Sequence, residues 1–140
     1  RRLALLAALL CLSPDTLHAE EDADPNAGVS GEHDFNMYCA SCHGEDARGN
    51  GPKAFSLAIK PPNLTTLTQR YGEFPREKLA RMIDGRDPVP GHGEREMPVW
   101  GQEFKKRAMG QPGDSSVTAE WSARNRIISL LKYLEDIQVK

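Results

Sequence analysis

A chain of 140 residues is about one domain by length. Its 18 basic and 20 acidic side chains, formal charge −2, lack the cationic surplus by which a nucleic-acid binder holds phosphates. A hydrophobic fraction of 39% and an aromatic fraction of 6% are thin for a core built from side chains alone, so a bound apolar body is expected to complete it.

Arg1 and Arg2, the apolar run Leu3 to Leu12 and the stretch Leu17-His18-Ala19 have the order of a secretory signal, with residues 1–19 removed on export to the periplasm. Ten apolar residues are too few to cross a bilayer core, which takes about 20, and no transmembrane segment is expected in the mature chain. Cys11 falls in the apolar run behind Leu10, which is too large for a lipoprotein cleavage site, so it leaves with the signal. Losing Arg1, Arg2 and Asp15 leaves 16 basic and 19 acidic side chains, formal charge −3. Residues 20–29 are acidic and poor in large apolar groups, a flexible mature N-terminus. Residues 30–140 form the folded domain.

Ser30 is placed to cap a helix starting at Gly31, with Glu32 and Asp34 favourable in its first turn. Phe35, Tyr38, Cys39 and Cys42 follow at i, i+3, i+4 and i+7, one buried stripe. The run Cys39-Ala40-Ser41-Cys42-His43 has the C-x-x-C-H spacing of covalent haem attachment. Cysteines three apart share a helix face, where both sulfurs reach the vinyl groups of one porphyrin and His43 comes up to the iron as proximal ligand. A thioredoxin-like dithiol would follow a strand in a βαβ pattern, and none precedes Cys39. A zinc site needs four ligands, and no second C-x-x-C or H-x-x-x-H pair accompanies the first. A disulfide across two helical residues closes too small a loop to add much stability.

His43-Gly44 ends the helix, and Gly49-Asn50-Gly51-Pro52 reads as a turn-rich loop. Its Pro52 carbonyl is the candidate acceptor for the second ring nitrogen of His43. Pro61-Pro62-Asn63-Leu64 is an extended strut, since prolines break a helix there; Leu64 is expected to pack on the haem, and Thr65 and Thr66 to start the next turn. Pro75 opens a helix with an apolar stripe of Leu79, Met82 and Ile83, stopped by Gly85. Asp87 to Gly93 reads as a loop, as does the region of Gly101, Gly110, Pro112 and Gly113. Thr118 is the expected cap of a last helix, with Ile127, Leu131 and Leu134 on one face and Leu130, Tyr133 and Ile137 widening it. With no strand-like alternation, the fold class is all-α, a few helices joined by long loops that the haem orders.

Iron that exchanges electrons without binding small molecules needs a second protein ligand. Met37, Met82, Met97, Met109, His33 and His92 are the candidates. Met97 stands in Glu96-Met97-Pro98-Val99-Trp100, made rigid by Pro98, and its soft thioether suits a carrier. Met82 belongs to a core stripe, Met37 is too close to Cys39 to reach the opposite haem face, and Met109 sits in a flexible-looking stretch. His92, between two glycines, is the rival that would give bis-histidine ligation. His33 is expected to face solvent.

With Cys39-Ala40-Ser41-Cys42-His43 and Met97-Pro98-Val99-Trp100 as its specific parts, the chain from about Gly31 to Ile137 resembles the class I c-type cytochromes, small soluble bacterial electron carriers. The resemblance implies the cytochrome c fold with crossing N- and C-terminal helices. Gly31 and Phe35 would pack on the last helix near Leu130 and Tyr133. It further implies one haem c, Met97 as the axial sulfur and Pro52 as the carbonyl partner of His43. The implied function is a non-catalytic single-electron carrier in an extracytoplasmic chain, with redox proteins as partners. Two other readings are a haem subunit of a larger oxidoreductase complex and an open-site haem enzyme or gas sensor. The stretch Lys105 to Ser116 is longer than in compact members of that family.

Overall fold

The computed structural model describes residues 30–87, 97–109 and 115–140. The expected signal and acidic N-terminus, together with His92, lie outside the described residues. The first helix, α1, runs unbroken from residue 31 to 43: α-helix Gly31–Asp34, a π-turn Phe35–Cys39, and α-helix Ala40–His43. The Ser30 side chain accepts from the His33 N–H at 3.0 Å, and Gly44 at φ +81° ends the helix. A π-turn adds a residue to one turn, which the plain 3.6-residue stripe did not anticipate. Here the Ala40 N–H reaches back five residues to the Phe35 carbonyl.

Four more helices follow: α2 (Leu67–Tyr71), α3 (Arg76–Asp84), α4 (Trp100–Ala108) and α5 (Ser116–Asp136). Short 3-10 turns occupy Ala54–Ser56 and Leu64–Thr66. No strand occurs among the described residues, and the fold is all-α. None of these helices is long and apolar enough to cross a membrane.

Helix α1 lies across α5 at close range. A Cβ placed on Gly31 would fall 1.9 Å from the Ser129 carbonyl oxygen, a separation that only glycine allows. Beside it, buried Phe35 packs on Tyr133 with ring centroids 5.3 Å apart, and Leu130 is buried in the same seam. The expected crossing is therefore present. An ion pair the sequence reading missed locks it: Arg126 on α5 donates through Nε at 2.8 Å, and also through its terminal amino group, to the carboxylate of Asp34, which is 0% exposed. In the sequence Asp34 shows only as a first-turn charge, because a 92-residue separation leaves no local trace of its partner.

Two boundaries differ from expectation. Ser115, not Thr118, caps α5: the Ser115 hydroxyl accepts from the Thr118 N–H, and the Thr118 hydroxyl from the Ser115 N–H, a reciprocal capping box with threonine in the third position. The Gly101 region is not a loop but the first turn of α4. Its apolar face is short, Trp100, fully buried Phe104 and Ala108 at i, i+4 and i+8, and the run Lys105-Lys106-Arg107 hid it. Gly101 is buried because Asp84 fills the space a Cβ would need, with Oδ1 at 2.0 Å. The C-terminus is tied back to the strut: Gln138 donates to the Leu64 carbonyl at 2.8 Å, and the Val139 N–H to the Thr65 carbonyl at 2.8 Å.

Exposed pairs such as Lys132 with Asp136 contribute little each. Asp34 with Arg126 is different, because removing one partner leaves an uncompensated buried charge. Asp34→Ala is expected to lower unfolding stability by about 3–5 kcal/mol, measured by denaturant titration of the loaded protein. Replacing both partners with apolar residues of similar volume is expected to cost much less.

Candidate cofactor cleft

The cleft lies between α1, the strut, α2, α3 and the start of α4, a cavity of about 170 Å³ that opens to solvent. Cys39, Cys42 and His43 line it together from α1, with Leu64 of the strut and Met82 of α3. Met97 and Trp100 join them at the entry to α4, and Leu130 and Leu134 of α5 close its depth. Its walls are largely aliphatic and aromatic. Tyr38, which also lines it, packs on Trp100 and Phe104 with centroids 5.5 and 5.7 Å apart, and the Arg126 guanidinium sits 4.3 Å over the Phe104 ring.

The loop after His43 folds back under α1. The Gly49 N–H donates to the His43 carbonyl at 2.7 Å, the Gly51 N–H to Cys42 at 3.2 Å and the Lys53 N–H to Ser41 at 2.8 Å. A Cβ on Gly51 would fall 2.5 and 2.6 Å from the carbonyl oxygens of Ala40 and Ser41, so this loop packs backbone on backbone. Gly49, at φ +80°, packs equally close against the Pro61 carbonyl, and the Leu64 N–H reaches the Ala47 carbonyl at 2.8 Å. These contacts carry the strut to the cleft.

Pro52 is exposed and is not part of the lining. The carbonyl close enough to act on the His43 imidazole belongs to Pro62, ten residues further on. The turn Gly49 to Gly51 is occupied in holding α1, and it is the strut that passes the ring. Burial pushes the His43 pKa down, and the Pro62 carbonyl offsets this only in part. His43 Nδ1 is buried and has no hydrogen-bond partner among the described residues. A neutral imidazole is the form that ligates metal.

Cys39 and Cys42 are free thiols. The Cys39 thiol is pushed up to about 12, first by burial and then by the nearby charges of Asp34 and Cys42. A redox dithiol needs the opposite, a thiol lowered toward neutrality. Among the described residues no three His, Cys, Asp or Glu side chains come together as a metal site. The cleft thus fits a large flat apolar group with one metal-ligating imidazole at its wall and two thiols beside it, the donor set that haem attachment requires.

Of the other methionines and histidines read as ligand candidates, Met37 and Met109 are 61% and 59% exposed, and His33 is exposed on α1. Met82 and Met97 both line the cleft and pack against the core. Sequence reasoning gave Met82 a core role only. The stripe Leu79, Met82 and Ile83 does face the core, but the cleft opens along its edge.

Residues 26–120 match the family described as cytochrome C oxidase, cbb3-type, subunit III. A curated relative, the cbb3-type cytochrome c oxidase subunit FixP of Sinorhizobium medicae (strain WSM419), is 35% identical over 78 residues, which are 56% of this chain and 22% of the relative. The chain therefore spans well under two thirds of that relative's length. No solved structure matches.

Gly51→Ala is expected to push the loop off α1 and sharply reduce the fraction of chains that retain covalent haem, measured as haem absorbance per chain under denaturing conditions. Pro52→Ala, at an exposed position, is expected to leave that fraction unchanged.

Proposed function

The chain belongs to the family of cytochrome c oxidase, cbb3-type, subunit III, and is a c-type cytochrome with covalently bound haem c that serves electron transfer; from that premise we propose that it is a single-electron carrier with His43 and Met97 as axial ligands. The observation that carries this reading is the meeting of Cys39, Cys42, His43 and Met97 in the lining of one largely apolar cleft. In it, Cys39 and Cys42 form the thioethers. Bound haem supplies a one-electron couple between ferric and ferrous iron.

The chain's own residues do the rest. His43 is held at the cleft wall by the loop that donates to its carbonyl from Gly49, and the Pro62 carbonyl is the group placed to orient its ring. Leu64, Leu79, Ile83, Leu130 and Leu134 keep water from the interior. Met97 is carried on the segment that Pro98 stiffens just before α4. A thioether favours reduced iron and raises the potential, which suits a carrier. If His43 and Met97 both hold the iron, they would exclude dioxygen and peroxide from it and leave the domain with no reaction of its own to catalyse. Export to the periplasm by removal of residues 1–19 completes the proposal, because covalent haem attachment belongs to extracytoplasmic chains.

The family match and the FixP relative favour a more specific setting. FixP is named as an oxidase subunit; by analogy this domain relays electrons as part of a larger oxidoreductase complex rather than as a free shuttle. Copurification of a tagged chain with an oxidase from native membranes separates the two settings.

Carbon monoxide tests the ligand set. The reduced wild type is expected not to bind it, Met97→Ala to bind it with a clear change in the visible spectrum, and Met82→Ala to behave as wild type. Binding in Met82→Ala but not in Met97→Ala would move the axial sulfur to Met82. Ready binding by the wild type would mean an open iron, and the enzyme or gas-sensor reading would take over.

A further inference from the structure

Backbone groups at helix ends and in struts must find partners outside their own element, and three such groups, from three elements, meet at one side chain near the C-terminus. The Gln138 amide donates through Nε2 to the Leu134 carbonyl in the last turn of α5 at 2.6 Å and to the Leu64 carbonyl of the strut at 2.8 Å. Its Oε1 accepts from the Thr68 N–H in the first turn of α2 at 3.0 Å. One residue on, the Val139 N–H donates to the Thr65 carbonyl at 2.8 Å. A side-chain amide carries both donors and an acceptor, whereas an ionised glutamate has no donor and a lysine no acceptor. Neither could make the same three bonds.

What the tail holds is one wall of the cleft. Pro61, Pro62 and Leu64 of the strut are in the cleft lining, as are Leu67 and Tyr71 of α2. Asn63 stiffens the turn between them: its side chain accepts from both the N–H and the hydroxyl of Thr65, each at 2.8 Å. The carbonyls that the tail grips and the prolines before them therefore move as one piece. From the other side the strut is gripped by the loop under α1, through the Leu64 N–H to the Ala47 carbonyl at 2.8 Å. The wall that carries Pro62 past the His43 ring is thus pinned between that loop and the C-terminal tail.

We propose that Gln138 is a positioning residue for the redox centre: by pinning the strut and α2 to α5, it keeps this wall of the cleft closed to water and thereby holds up the reduction potential. The proposal rests on the carrier reading above and adds which part of the chain tunes the couple. Ferric iron carries one more positive charge than ferrous, and water reaching the site stabilises that charge. A wall that opens more often lowers the potential.

Gln138→Met keeps the side chain's length and neutrality and removes all three bonds. In the haem-loaded variant, amide hydrogen exchange at Leu64 and Thr65, whose N–H groups bond elsewhere, is expected to quicken about tenfold as the strut opens. The midpoint potential is expected to fall with it. Val139→Pro removes the neighbouring N–H from the same tie; it is expected to move both readings the same way by less, and it decides the matter if Gln138→Met retains no haem. Ile127→Val trims a core residue of α5 outside the cleft lining, so it lowers global stability and is expected to leave the potential unchanged. Unaltered exchange, or faster exchange with a potential that stays or rises, overturns the proposal and leaves the tail a structural tie. A potential that Ile127→Val lowers equally overturns it too. Failure of the carrier reading would show separately, as a wild-type protein without covalent haem or with a carbon monoxide-binding iron.

Discussion

Helix α1 cannot move without unseating the site, because Cys39, Cys42 and His43 all stand on it, and what holds α1 is its crossing with α5. Two features make that crossing specific. Gly31 lets the backbones approach to a distance that any Cβ would forbid, and the buried Asp34 carboxylate is met by Arg126 through paired donors. Apolar contacts such as Phe35 on Tyr133 supply burial but tolerate sliding; a bidentate ion pair with no water around the carboxylate does not. The same Arg126 rests on Phe104, so the lock also positions α4, whose first residues follow Met97 into the cleft.

Beneath α1 the chain works with backbone rather than side chains. Gly49 and Gly51 donate to the carbonyls of His43 and Cys42, and this sheath turns the chain so that the strut passes the His43 ring. The attachment helix is thereby held from both sides, by α5 across its N-terminal half and by the loop under its C-terminal half. Little of the cleft wall is polar, which fits a chain whose own side chains are too few to fill the interior and whose haem is part of the core.

Much of this was legible in the residues. The C-x-x-C-H spacing placed three site residues on one helix and the stripes of α3 and α5 marked buried faces, while the packing of Gly31 and Phe35 on α5 came from the family resemblance. Local signals fell short where the deciding contact is distant in sequence. Asp34 reads as a helix-start charge until Arg126 appears beside it. The apolar face of α4 is no more than Trp100, Phe104 and Ala108, and the charges around them outweigh it in the sequence. The action of the Pro62 backbone on the His43 ring is also invisible in the sequence, because it depends on the strut doubling back. Likewise Met82 shares the cleft with Met97 because the edge of a core stripe is also the edge of a cavity, which spacing alone does not show.

The central claim is that one face of α1 holds a single haem through two cysteines. Mass spectrometry of the chain matured with haem and then fully denatured tests it most directly. The account predicts one haem mass per chain that resists denaturant, and its complete loss from the Cys39→Ser/Cys42→Ser double variant. A haem that washes away from the wild type, or one that stays on the double variant, would contradict it.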